Sequence, residues 1–383
     1  MTASDRLGMP SRAMARAAAT PPVYLGTYRF LLAILVFSSH STWGFARAFT
    51  RSNSGPIGVM CFLVVSGFLI TSALEDHYAG RVDRFLVNRF LRIYPTLWAS
   101  LIVAVVVILS IGPAAELPNF HLSGWSFAQI LRCILIVPAY PEANWAVLPV
   151  GWTLQVEVTF YLVIAGLYLL VGRAFRPGRH VVVLLSCAAV LAGYVIAAAG
   201  SPMWWTNPVT FTPLFVLGVA TALFVRIDPK QRGARATAVL LIAASLLLCI
   251  NLVMRFSSDQ FIAPFSTPLS EVLPGAENGA LPGSIVTFVL LITLFLALLA
   301  PAISARVSQF ATVDNFLGDL TYPLYTLHFA SNQLIAFWIY KYLGKATVLV
   351  QLPIAIAAAY LMLKLIDKPM TRLRTRIRGV AIR

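Results

Sequence analysis

Charge is what this sequence has least of. Asp, Glu, Lys and Arg make up 11% of its 383 residues, while 59% are hydrophobic. An ordinary soluble domain is about 25% charged, so a soluble globular fold is excluded. Acid is the scarcer sign, with 14 Asp and Glu against 29 Lys and Arg. No Gly-rich phosphate loop and no internal repeat is present. The four cysteines carry no pattern either: Cys61, Cys187 and Cys249 fall within apolar runs and Cys133 lies between two of them. That gives neither a disulfide framework nor a metal-ligand spacing. No metal site and no permanently bound cofactor is expected.

Long apolar runs are what the chain has instead. Ten of them approach the ~20 residues that cross a bilayer. They lie near Tyr24–Phe45, Pro56–Leu74, Ile93–Ile111, Leu148–Gly172 and Val181–Ala199, then near Pro208–Phe224, Ala236–Met254, Ser284–Pro301, Leu317–Trp338 and Thr347–Ile366. The fold class expected is all-α, a polytopic membrane protein of about ten transmembrane helices. A disordered tail is expected over residues 1–20, a membrane domain over 21–367 and a basic tail over 368–383. The first run is too long for a signal segment and holds Arg29 and His40, so it is expected to be retained. The gap Gly112–Val147 is too short and too aromatic to fold alone.

The net charge of +15 follows topology. With both termini in the cytoplasm, the cytoplasmic side holds 22 Lys and Arg and the opposite loops hold 6. This is the positive-inside asymmetry, and it makes nucleic acid the poorer partner. The natural partner is membrane lipid, and the run Arg372-Leu-Arg-Thr-Arg-Ile-Arg378 suits anionic headgroups.

Ionisable residues inside the membrane mark function, and few lie within these runs. Glu157 is the one deep acid, and His40 and His328 are the two histidines within spans. At about 1.5 Å of rise per residue, Arg29 lies roughly 8 Å in from the cytoplasmic face and His40 roughly 16 Å further out. Glu157 lies roughly 13 Å below the outer face, and His328 is near mid-membrane. The four are ordered in depth, as the lining of one polar passage would be. Arg89 and Arg92 stand three apart at the cytoplasmic mouth of the third run, on one face of a helix. Guanidinium forks suit phosphate oxygens; plain membrane anchoring is the other reading of that pair.

Together these residues resemble the acyltransferase family 3 proteins, bacterial membrane enzymes that modify surface sugars. "RFLLAILVFSSH", Arg29 to His40, is similar to that family's Arg-x10-His signature. "FLVVSGFLI" (62–70) resembles its second-span block, and Arg89 and Arg92 match its Arg-x-x-Arg pair. "GWTLQVEVTFY" (151–161) and "LGDLTYPLYTLHFA" (317–330) resemble the blocks that hold its Glu and its second His. Gly26 departs from the family, which often has Asp there. Asp367 departs too, standing where Glu is usual before Lys-Pro. The SGNH-type domain that some relatives carry is not expected, since the chain stops soon after the tenth run.

The resemblance implies acyl-CoA, usually acetyl-CoA, as cytoplasmic co-substrate and a carbohydrate hydroxyl as acceptor. Arg29, Arg89 and Arg92 are then the residues expected to hold CoA. His40, Glu157 and His328 are expected to do the chemistry, with His40 as general base. For Glu157 two roles stand, orienting a histidine or binding the acceptor. Trp152, Tyr161, Tyr322 and Tyr325 are the substrate-binding residues implied. Trp125, Trp145, Trp204 and Trp205, on the outer side, are read as an interfacial belt or as sugar-stacking rings. The alternative is a proton-coupled secondary transporter of a small polar solute, which buried Arg, His and Glu also suit.

Overall fold

The computed structural model describes residues 24–40, 55–78, 81–111, 126–136, 147–174, 179–200, 207–258, 283–343 and 346–378. Among these residues the regular structure is entirely helical. In chain order the helices are α1 (Gly26–Ser39), α2 (Gly55–Ala73), α3 (Val82–Ile111), α4 (Phe127–Leu135) and α5 (Gly151–Ala174). There follow α6 (Arg179–Gly200), α7 (Thr212–Arg226), α8 (Arg232–Ser258), α9 (Gly283–Leu298) and α10 (Pro301–Val307). The last are α11 (Ala311–Trp338), α12 (Thr347–Met362) and α13 (Lys368–Arg378).

The protein is a polytopic helical membrane protein. Helix occupies part of every one of the ten expected runs. Among the described residues seven helical stretches are long and apolar enough to cross a bilayer, and α9 with α10–α11, bent by 83° at their junction, counts as an eighth when the pair is taken as one span. Pro301 stands at the bend, where its ring and missing N–H prevent α9 from continuing. The first run is helical over 14 described residues, Gly26–Ser39, shorter than a span.

Helices α2 and α7 are apolar on all sides, the pattern of a helix surrounded by protein. They meet through glycine. A Cβ on Gly67 would lie 2.5 Å from the Phe215 carbonyl oxygen, and one on Gly218 would lie 2.0 Å from that of Val64. Small residues of this kind let two backbones touch where no water drives association. Around this pair, α6 and α8 turn large side chains such as Leu185, Ile196, Leu240 and Leu247 outward.

Below this pair, polar contacts tie the helix ends. Beyond α2 a π-helical turn, Leu74–Tyr78, carries two acids. Asp76 forms a two-pronged pair with Arg226 at 3.0 and 2.5 Å. Glu75 accepts from the Tyr168 hydroxyl at 2.7 Å and lies 3.4 Å from His180 Nε2. His77 lies in this π-helical turn and His180 in the first turn of α6.

Helix α1 runs alongside α11 in a fixed parallel register. Asp314 accepts from the backbone N–H of Gly26 at 2.9 Å and of Thr27 at 2.7 Å. These are the unpaired donors of a helix start, where the helix dipole also favours negative charge. The backbones touch as well: a Cβ on Gly26 would lie 1.8 Å from the Asp314 carbonyl oxygen. Position 26 cannot carry a side chain here, and a carboxylate reaches its N–H from across the seam.

Two parts of the chain differ from expectation. The gap after α3 is not featureless: α4 starts at a Ser126–Gln129 capping box. Its last carbonyls, Ile134 and Leu135, accept from Trp98 Nε1 at 2.9 Å and the Tyr94 hydroxyl at 2.7 Å. Those two side chains belong to α3, roughly 20–25 Å back from Ile111. The segment therefore dips back along α3, and Cys133, expected in an outer loop, is buried. The basic tail is helical as far as Arg378 and continues from α12 through a second π-helical turn, Leu363–Asp367. It docks on α3, where Arg374 exchanges hydrogen bonds with Asn88 at 3.2 and 3.3 Å. Asp367 accepts from the Thr96 hydroxyl. The expected tail 1–20 and Trp125, Trp145, Trp204 and Trp205 lie outside the described residues.

Removing the Asp314 cap by Asp314→Ala should lower stability by about 1–2 kcal/mol. Gly26→Ala should cost more, because the backbones must part. Thermal unfolding of the detergent-solubilised protein reads both. Unchanged melting temperatures would show that the α1–α11 seam carries no stability.

Candidate active site

A cavity of about 320 Å³ opens between α1, α2, α3, α5 and α11. Arg29, Arg89, Arg92, Glu157, Tyr161, Tyr322 and Tyr325 line it, together with Ser66 and Thr153. Three guanidinium groups surround one carboxylate, so the cavity carries an excess of positive charge. Arg29 feels the like charge of Arg92 and the opposite charge of Glu157. Among the described residues no carboxylate lies within ion-pair distance of Arg29 or Arg92. The Arg89 guanidinium sits over the rings of Phe85 and Tyr161, 5.1 and 5.5 Å from their centroids. That geometry is a cation–π clamp, and it points a fixed cation along α3 beside Arg92.

Glu157 is held by hydroxyls. Ser66 Oγ donates to its Oε1 at 2.7 Å, and the Tyr161 hydroxyl donates to the same oxygen. The other two tyrosines brace the walls. The Tyr322 hydroxyl donates to the Ile93 carbonyl at 2.9 Å, and the Tyr325 hydroxyl lies 2.5 Å from Thr153 Oγ1.

The two histidines form a second centre. His328 Nε2 lies 3.2 Å from His40 Nδ1, with ring centroids 5.1 Å apart. His328 Nδ1 lies 2.7 Å from the Tyr325 carbonyl, and His40 Nδ1 lies 3.0 Å from that of Val36. A carbonyl only accepts, so each Nδ1 carries the proton. The His40 Nδ1–H is then shared between the Val36 carbonyl and the bare Nε2 of His328. This leaves His40 Nε2 unprotonated and able to take a proton. His328 is buried and His40 is exposed at the end of α1.

The expected site residues thus divide. Arg29, Arg89, Arg92, Glu157, Tyr161, Tyr322 and Tyr325 share the cavity, while His40 and His328 lie outside its lining. Glu157 does not orient a histidine: its hydroxyl partners are Ser66 and Tyr161, and its charged neighbours are arginines. Trp152 does not line the cavity, and its ring packs on Phe211 at 5.5 Å. Tyr325 joins the two centres. Its ring lines the cavity and its carbonyl holds His328. Reading the sequence missed Ser66 as the partner of Glu157 and Asp314 as the cap of α1. A lone hydroxyl within "FLVVSGFLI" was the only signal for the first.

A cavity lined by three arginines, and a histidine pair one helical turn further along α11, make up a polar site within a polytopic membrane protein. The chain belongs to the acyltransferase family 3, whose model, described as an acyltransferase domain, matches residues 23–365. It is 33% identical over 187 residues to the exopolysaccharide production protein ExoZ of Rhizobium meliloti, covering 47% of this chain and 55% of that protein. It is 26% identical over 362 residues to the acyltransferase MdmB of Streptomyces mycarofaciens, covering 85% and 84%. Nodulation protein 10 of Rhizobium leguminosarum is 30% identical over 214 residues, covering 48% and 52%. The chain therefore spans about half the length of ExoZ and of nodulation protein 10. No solved structure matches.

The proton assignment is checkable. In protein labelled with 15N-histidine, both imidazoles should show the Nδ1–H tautomer, with His40→Gln and His328→Gln variants identifying the signals. An Nε2–H signal for His40 would remove its capacity to act as a base.

Proposed function

We propose that this protein is an O-acyltransferase of the bacterial cytoplasmic membrane. It moves an acyl group, acetyl in the family's usual case, from cytoplasmic acyl-CoA to a hydroxyl of a cell-surface or exported carbohydrate. The observation that carries the reading is the contact of His40 Nδ1 with His328 Nε2 at 3.2 Å, joined to the arginine cavity through Tyr325. Family membership supports acyl transfer, and the name of ExoZ ties a relative to exopolysaccharide. A transporter has no observation of its own to favour it.

In this reading both termini face the cytoplasm, so the arginine cavity is approached from inside. Arg89 and Arg92 bind the phosphates of CoA, and Arg29 carries the positive field further along the pantetheine arm. A sugar hydroxyl is a weak nucleophile, so its proton must leave as it attacks. The hydroxyl oxygen bonds to the thioester carbon while His40 Nε2 takes the proton. The carbon–sulfur bond breaks, and the proton passes to the departing CoA sulfur. As His40 gains a proton, its Nδ1–H becomes a stronger donor to His328 Nε2. This is the orienting role that a carboxylate plays in other acyl-transfer sites. Glu157 sits on the donor side, where Ser66 and Tyr161 fix it.

General base catalysis is worth about 10²–10⁴-fold. His40→Gln should lose transfer by about that factor while retaining acetyl-CoA binding. Near-normal transfer by this variant would sink the assignment of the base. Arg92→Ala should weaken acetyl-CoA binding, and Arg92→Lys should restore it only in part, because an ammonium cannot make the forked contact. Calorimetry on the purified protein separates these effects. Equal donor affinity in all three proteins would return Arg92 to membrane anchoring.

A further inference from the structure

Helix α11 carries one more polar residue on the face that holds the site. Thr321, Tyr325, His328 and Asn332 follow one another at three- and four-residue steps, which place them along one side of a helix. The first two line the arginine cavity. His328 holds His40. Asn332 lies one turn further on, away from the arginines, and is 1% exposed. Neither its Nδ2 nor its Oδ1 has a hydrogen-bond partner. Among the described residues it is the one buried side-chain amide with both ends unpaired.

An unpaired amide in an apolar interior is costly, and this chain does not leave its amides so by habit. Asn88 is just as buried, and both its side-chain atoms are bonded to Arg374. The unpaired amide therefore suits a ligand that completes it.

The chemistry of the missing partner can be read from the two vacant ends. An oxyanion or a phosphate only accepts, and would face the lone pairs of Oδ1. A hydroxyl both donates and accepts. A pantetheine amide also does both, but it would come from the arginine side and stop at the thioester, short of Asn332. Building on the acyl-transfer reading above, we propose that Asn332 is an acceptor-recognition residue. Its Oδ1 accepts from, and its Nδ2 donates to, carbohydrate hydroxyls neighbouring the one that His40 deprotonates. It makes no bond to CoA and takes no proton. It selects which hydroxyl of the sugar faces the base.

The test uses a deletion strain carrying the wild-type gene, Asn332→Leu, Asn332→Asp or His40→Gln. The O-acyl content of the host's own surface carbohydrate is read by proton NMR. Acetyl-CoA affinity and melting temperature are measured on each purified protein. Asn332→Leu should melt no lower than wild type and bind acetyl-CoA within about twofold, yet lose at least about tenfold in O-acylation. Asn332→Asp, which keeps the acceptor atom and loses the donor, should fall between. O-acylation at the wild-type level in the leucine variant overturns the assignment. So does a leucine variant that melts lower and loses acetyl-CoA affinity along with transfer, which would mark a packing residue. Should Asn332→Leu fail to accumulate, the aspartate variant is read alone, and undiminished O-acylation there overturns the assignment. The acyl-transfer reading fails separately, if deletion or His40→Gln leaves the O-acyl signals intact, and the role of Asn332 falls with it.

Discussion

The parallel seam between α1 and α11 is the constraint on which the rest of the site depends. Asp314 meets Gly26 at one end and His328 meets His40 at the other, and both pairs are separated by 288 residues in sequence. The register is therefore identical along about 21 Å of helix. A cap at the bottom of the seam fixes what touches at the top. The glycine contact makes this possible, since Gly318 would place a Cβ 2.9 Å from the Gly26 Cα. Larger residues at either glycine would part the helices, and the distance between the two imidazoles is set by how closely those helices lie.

The same seam sorts charge by depth. Arg29 is three residues into α1, next to the cavity, and His40 follows its last turn. The arginines therefore lie towards one end of the seam and the histidine pair at the other, the order that the proposed donor, with its anionic head and reactive tail, would require. Tyr325 sits at the junction, since its ring walls the cavity and its carbonyl fixes the tautomer of His328. Glu157 belongs to the cationic end. Its carboxylate, held by two hydroxyls, offsets part of the charge of three arginines.

Much of this was legible in the sequence, and what was not has a physical reason. Arg29, His40, Glu157 and His328 stood out because an ionisable group in hydrocarbon is expensive, so few are present and most have a use. Which of them meet was not legible. Residue depth follows from counting, but the direction a side chain takes around its helix depends on how each helix is rotated against its neighbours. Hence Glu157 and His328, of similar depth, point to different partners, and Trp152 turns to Phe211 and not to the cavity. Asp314 escaped notice because it lies at a span end, where an acid is ordinary. Helix α4 escaped because its nine residues are fewer than the stretch over which a helical period is read, although its Ser126–Gln129 capping pattern was there to see.

A histidine paired with a histidine, rather than with a carboxylate, fits the solvent the site must live in. A buried carboxylate partner would polarise the base more strongly, but it would have to be carried as an unmatched charge whenever the base is neutral. His328 fixes the orientation and tautomer of His40 without charge, and its own Nδ1–H is satisfied by the Tyr325 carbonyl. In the resting pair both Nδ1–H groups are thus hydrogen-bonded, and His40 Nε2 alone is left open. The cost appears only when His40 is protonated, because a neutral partner stabilises that cation less than an anion would. A reaction built this way keeps the cation brief, by handing the proton on to the sulfur as the carbon–sulfur bond breaks. In the proposed reaction the departing CoA thiolate would supply the negative charge that the protein omits, and only in the step that needs it.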